Sequence, residues 1–168
     1  MVYIHAMNKG VAQAHGDYGI FMNSGDSFHS PTVLESIKDY QEDIICGKVI
    51  KGNNTTASGL TRASITLVDL MRASLPHQAM LIRRELLIKH PHDEHYRILS
   101  DWKFCIENLV IDNCSFRNIE NVIADYEGGG ISSNSRGLLP KEREQILKEM
   151  FPPRIVAFYH VLNSRINP

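Results

Sequence analysis

Apolar runs broken by glycine, proline and short polar clusters divide this chain into alternating strand-like and helix-like segments. Residues 6 to 15 mix Ala, Met, Lys, Val and Gln and stop at Gly16, which predicts a helix ending on a glycine able to turn left-handed. Tyr18 to Met22 is a short apolar run between Gly16-Asp17 and Asn23-Ser24-Gly25, the pattern of a buried strand closed by a turn. Ser30 and Pro31 predict a helix start, with Val33, Leu34 and Ile37 as its apolar stripe. Asp43 to Lys51 reads as a second strand, and the polar Asn53 to Ser58 as a hairpin tip or mobile loop before a weak helix around Leu67 to Met71. Ala79 to Ile82 predicts a short strand, Arg84 to Lys89 a helix stopped by Pro91, and His90 to Tyr96 a loop.

Ser100 is the expected cap of a helix in which Trp102, Cys105, Ile106, Leu109 and Val110 fall at helical spacing. Phe116 to Tyr126 returns as a strand. Gly128 to Gly130 with Ser132, Ser133 and Asn134 reads as a flexible loop, and Pro140 opens a final helical region broken near Pro152-Pro153. Such alternation implies an α/β layer fold rather than a bundle or a sandwich. Polar residues that follow a strand of this kind sit where open α/β sheets place their ligands. No internal repeat or low-complexity tract interrupts the pattern.

A chain of 168 residues is one domain long and can bury a real core. Hydrophobic residues make up 43% and charged residues 22%, as in an ordinary globular protein. The formal net charge of −1 supplies no field that would draw nucleic acid or an anionic membrane. No apolar run reaches membrane-spanning length and no signal peptide is evident, so a cytoplasmic location is expected. Cys46, Cys105 and Cys114 lack C-x-x-C spacing, which points to buried free thiols rather than a disulfide framework or a zinc site.

Several polar groups could carry chemistry. Asp26 closes the turn after the first strand, and taken by itself it reads as a turn former with Gly25 ahead of a metal ligand. Asp101 falls in the first turn of a helix, a place that suits negative charge. His90, His92 and His95 with Asp93 and Glu94 match no common zinc spacing and are expected in a solvated loop. The Gly128 to Gly130 run is neither a P-loop nor a dinucleotide fingerprint; it fits a plain surface loop as well as a segment that folds over substrate.

The stretches AMNKG (Ala6 to Gly10), GDY (Gly16 to Tyr18), Phe21 and NSGD (Asn23 to Asp26), then PHQAMLIRRELL, YRILSDWKFCIENL and VIADYEGGGISSN, together resemble the family 2 glycosyltransferases, from about Ala6 to about Asn134. The resemblance implies a GT-A type fold, and a sugar transfer from a nucleotide-sugar donor to a glycan or lipid-linked acceptor in cell-surface polysaccharide synthesis, inverting and metal-dependent. It implies Asp101 as general base and Asp26 and His77 as groups at a bound Mg²⁺ or Mn²⁺. Asn8, Lys9, Asn23, Ser24 and Gly25 would be donor-binding, and Arg83 and Arg84 would contact diphosphate or acceptor or else be surface arginines.

The family's turn commonly carries more than one acidic residue, whereas here Asn23, Ser24 and Gly25 stand beside Asp26. A divalent ion can still be held by one or two carboxylates with diphosphate oxygens and water. The family also places its nucleoside contacts upstream of AMNKG, where this chain has five residues, with His5 at a position often occupied by Asp. The expectation is therefore a truncated GT-A-like sheet with flanking helices, in one domain: a catalytic portion over 1–134 and a helical extension over 135–168. Its open edge and face would be covered by the C-terminal helices or by a second copy in a homodimer. A non-catalytic remnant, folded and serving a structural or binding role, is the alternative from a different class.

Overall fold

The computed structural model describes residues 2–128 and 137–166. Most of the expected Gly128 to Asn134 loop lies outside them.

Among the described residues five strands form one mixed sheet: β1 (Tyr18–Gly19), β2 (Ser27–Phe28), β3 (Ile44–Lys51), β4 (Met80–Arg83) and β5 (Phe116–Tyr126), in the order β1-β4-β3-β5-β2. β3 and β5 pair in parallel at the centre, from Ile44 opposite Phe116 to Lys51 opposite Tyr126. The other pairs are antiparallel. The central register slips around Gly47, where a Cβ would stand 2.4 Å from Ile123 Cγ1 and 2.7 Å from the Asn121 carbonyl oxygen. Only glycine admits that approach. Both sheet edges are strands of two residues, so little unpaired ladder is offered to another chain.

Alternation along the strands gives the sheet two apolar faces. Ile44, Cys46, Met80 and Ile82 point into the larger core. There they meet α1 (Val2–Gln13), α2 (Leu67–Arg72), α3 (Arg84–Lys89), α4 (Ser100–Ile106), α5 (Leu139–Met150) and α6 (Pro153–Ile166). Trp102, Phe104, Ile106, Ile146 and Leu147 lie at its centre, so the C-terminal helices share the core of the rest of the chain. Ile45, Val49, Ile119 and Ile123 face the other way, under a thinner cover from Val33, Ile37 and Tyr40.

Three expectations are corrected. The run Tyr18 to Met22 is not a buried strand: β1 is two residues at the sheet edge, and beyond it Phe21 packs on the larger core while Ile20 and Met22 pack on the smaller, without a ladder. Apolar content alone does not distinguish a strand from an extended segment whose side chains are taken up by two cores. The helix expected from Ser30 is a turn followed by a single 3-10 turn, Glu35–Ile37; the Ser36 hydroxyl donates to the Val33 carbonyl at 2.7 Å, a local bond that competes with helix propagation. Ser100 does not cap α4: its Oγ is buried without a partner, and the orphan N–H groups before the helix are met by Glu142 of α5 instead. The helix then widens into a π turn over Glu107–Ile111 before Asn113 reverses the chain at φ 52°.

Cys46 and Cys105 are buried free thiols, and Cys114 is half-buried and free. Among the described residues no helix is long and apolar enough to cross a membrane.

Candidate functional site

His77 stands where four segments meet. It opens a 3-10 turn, His77–Ala79, between Pro76 and β4, and buried Gln78 and Ala79 anchor that turn while the imidazole stays half-buried. Its Nε2 lies 3.0 Å from the Asn23 amide nitrogen and 3.4 Å from the Tyr3 hydroxyl, and its Nδ1 lies 3.5 Å from Asp101 Oδ2. An amide NH₂ group can only donate, so the arrangement fits a ring whose Nε2 offers a lone pair and whose Nδ1–H faces the carboxylate. Asp101, His77 and Asn23, which the sequence singled out separately, are thus one constellation.

Asp101 owes its place to α4. The neighbouring Trp102 is fully buried; its Nε1 donates to the Leu70 carbonyl at 2.7 Å, and the Arg143 guanidinium lies 4.6 Å from its ring centroid. With that residue fixed, Asp101 Oδ1 accepts from the Trp102 backbone N–H at 2.7 Å and Oδ2 is left toward His77. Tyr3, on α1, lies in the fields of both Asp101 and Asp26. Burial first, and then these two carboxylates, push its phenol up to about 12, so it remains a hydrogen-bond donor.

The turn Asn23 to Asp26 is closed by the Asp26 N–H donating to the Asn23 carbonyl at 3.0 Å, with Gly25 at φ 94°. That positive φ favours glycine, and a Cβ there would also displace the tip of the exposed Glu127 side chain. Asp26 Oδ1 accepts from the Glu127 N–H at 3.3 Å, while its Oδ2 is buried without a partner. Ser24 is exposed at the tip.

Asn8 and Lys9 are not in this constellation. Asn8 spends its amide on the backbone of His92, donating to the carbonyl at 2.8 Å and accepting from the N–H at 2.9 Å. Lys9 is exposed on α1. Arg83 is engaged elsewhere, bonding Asp43, the Tyr18 hydroxyl and the Gln41 carbonyl. Arg84 begins α3, its backbone N–H donating to the Asp17 carbonyl at 2.8 Å.

The histidine-rich loop is corrected in one member. His95 is exposed on Asp93 and His90 bonds Asp112, as suits a solvated loop. His92 is 3% exposed, stacked on Phe104 with ring centroids 5.0 Å apart and meeting Phe21 edge-on at 5.3 Å. Burial drives its pKa down to about 4; the nearby Asp101 works against that shift and His77 adds to it. His92 and Tyr3 are the site neighbours that sequence reasoning missed. Tyr3 lies outside every matched motif, and the signal for His92 is the apolar Phe21 and Phe104, distant in sequence.

Among the described residues no three His, Cys, Asp or Glu side chains are grouped as a metal cage. A divalent ion here would need most of its ligands from a diphosphate and water, and the unpartnered Asp26 Oδ2 is the atom that fits it. Both His77 nitrogens are already engaged, so as a ligand it would have to give up Asn23 and Tyr3. Next to Pro76 opens a cavity of about 330 Å³ lined by Val49, Leu60, Ile65, Ala73 and Leu75, with Ser58, Ser74 and Asp69 as its polar members. The Asp69 carboxylate is occupied by Thr66 and Arg62, which leaves the cavity mainly apolar.

The chain is 30% identical over 136 residues to PGL/p-HBAD biosynthesis glycosyltransferases of Mycobacterium bovis and Mycobacterium tuberculosis, an alignment covering 76% of this chain and 52% of theirs. It therefore spans about half the length of these curated relatives. No family model matches. Among solved structures, TarS 1-349 of S. aureus superposes with a TM-score of 0.59 at 15% identity, covering 90% of this chain and 43% of that one. TarS 1-349 in complex with UDP gives 0.56 at 17% identity, covering 84% and 48%. The fold is α/β and GT-A-like, and in sequence the chain is similar to glycosyltransferases.

Proposed function

We propose that this chain carries the acceptor-activating and diphosphate-holding part of a glycosyltransferase, moving a sugar from a nucleotide-sugar donor to a glycan or lipid-linked acceptor with inversion. The observation that carries the reading is the convergence of Asn23, His77 and Asp101, three residues from three separate matched segments, on one imidazole. Unrelated surface residues would have no reason to meet there.

In this reading Asp101 Oδ2 takes the proton of the acceptor hydroxyl as that oxygen bonds the anomeric carbon. The bond from that carbon to the donor diphosphate breaks, and the diphosphate leaves with the electron pair. His77, its Nδ1–H toward Asp101, holds the carboxylate in orientation and stabilises its charge before the proton arrives. Asn23 and Tyr3 fix the His77 tautomer from the other side. A bound Mg²⁺ or Mn²⁺ would neutralise the charge that develops on the diphosphate, and Asp26 would be its protein ligand. The cavity lined by Pro76, the residue before His77, would offer the acceptor an apolar wall. TarS in complex with UDP supports a uridine nucleotide as the first donor family to test.

Calorimetric titration with UDP and a panel of nucleotide sugars, with and without Mn²⁺, tests the reading. Binding that requires both metal and nucleotide is expected. No binding at millimolar ligand would overturn it and return the chain to the non-catalytic class.

A further inference from the structure

Three consecutive backbone N–H groups, those of Arg97, Ile98 and Leu99, point at one carboxylate: Glu142 Oε1 accepts the first at 2.8 Å, and Oε2 accepts the second and third at 2.9 Å each. Successive N–H groups arranged this way form an anion-binding concavity. Here the anion comes from the same chain, on α5, and its carboxylate is buried at 6% exposure. Two residues beyond this concavity, in the first turn of α4, stands Asp101. We infer that Glu142 is a positioning residue, which seats the start of α4 so that Asp101 is held against His77. The inference rests on the transferase reading only for its consequence in catalysis.

Further contacts from α5 reach the same segment. Glu149 bonds the Tyr96 hydroxyl at 2.5 Å and the Lys103 ammonium at 3.2 Å. Lys103, 7% exposed, also bonds Asp93 at 2.6 Å. Glu142 and Glu149 are two helical turns apart and therefore on one face of α5. Between them Ile146 and Leu147 are fully buried in the core that holds Trp102. Arg143 completes the frame by donating to the Met71 carbonyl at 3.0 Å while lying over the Trp102 ring. The residues around the candidate base are thus gripped before and after it by one helix. The grip before it depends on a carboxylate, because a neutral amide would present one acceptor oxygen and an NH₂ group to three donors.

The test is Glu142→Gln, with Glu142→Asp as a second variant that keeps a carboxylate one methylene short. Imidazole nitrogen NMR of His77, assigned through His77→Gln, reports which ring nitrogen carries the proton and what it faces, and it needs no enzymatic activity. In Glu142→Gln the His77 signal is expected to move while those of His29 and His90 stay, with Glu142→Asp intermediate. Transfer should lose about 100-fold in kcat, the size expected of a misplaced catalytic group, with KM for the donor unchanged. An unmoved His77 signal in either folded variant overturns the inference. Equal movement of all histidine signals would overturn it too, as general loosening of the fold. If His77 moves selectively but the wild-type chain transfers no sugar, the positioning role stands and the transferase reading falls.

Discussion

Asn8 holds His92 by both of its backbone polar atoms: the amide nitrogen donates to the His92 carbonyl at 2.8 Å and the amide oxygen accepts its N–H at 2.9 Å. A residue that the sequence assigns to donor binding is therefore a clasp between α1 and the loop behind the site. Asn8→Ala leaves a backbone donor and acceptor without partners in a partly buried place. A loss of about 1–3 kcal/mol is expected in urea unfolding. Asn8→Asp keeps the acceptor but not the donor and should fall between. Wild-type stability with weakened nucleotide binding would instead restore the donor role.

Asp101→Asn preserves shape and the oxygen that accepts from the Trp102 N–H, but its side chain cannot take a proton. Transfer is expected to fall by roughly 10² to 10⁴-fold with the melting temperature nearly unchanged. Transfer at the wild-type rate would remove Asp101 as the base.

For Asp26→Ala, the expected effect lies in the metal response. Loss of the one unpartnered buried carboxylate oxygen of the turn should weaken donor binding in the presence of Mn²⁺ and leave the metal-free titration, already at background, as it was. Calorimetry separates the two, and an unaltered metal dependence excludes Asp26 as a ligand.

His92 makes stability depend on pH in a definite window. Burial lowers its pKa from about 6.5 in the unfolded chain to about 4 in the folded one, so the unfolded state binds the proton first as pH falls. Above the unfolded value both states are neutral and the group contributes nothing. Between the two values the folded state loses stability progressively, by about 3 kcal/mol in all. Asp93 acts lower down. Burial opposes its charge, but bonds from Lys103 and His95 outweigh burial and hold its carboxyl at about 2, so its contribution is lost only as pH falls below the ordinary carboxylate range. Urea midpoints measured from pH 7 to pH 4 should therefore fall in wild type and fall less in His92→Phe. Equal slopes would show that His92 protonates freely.

Much of this was legible in the chain. β5 and α3 match the expected ranges, and β3 differs from its own by one residue, because each is a continuous apolar or periodic run closed by strong punctuation. Asp101, His77 and Asn23 were likewise marked by the segments around them. What escaped depends on contacts distant in sequence. Nothing near Ser100 shows that the segment leading into its helix is held by Glu142, nothing near His92 shows that Phe21 and Phe104 enclose it, and Tyr3 precedes the first matched segment. The short β1 has the same origin, since the claims of two cores on Ile20, Phe21 and Met22 appear only once the sheet is formed.

The seat that Glu142 provides for α4 also bears on how the chain is made. Synthesis runs from the N-terminus, and β3 cannot find its parallel neighbour until the ribosome has released β5. The N–H groups of residues 97 to 99 wait longer still, for a carboxylate on α5. A nascent chain halted after β5 would therefore lack the carboxylate that seats the start of α4, and a settled Asp101 has to await the emergence of α5.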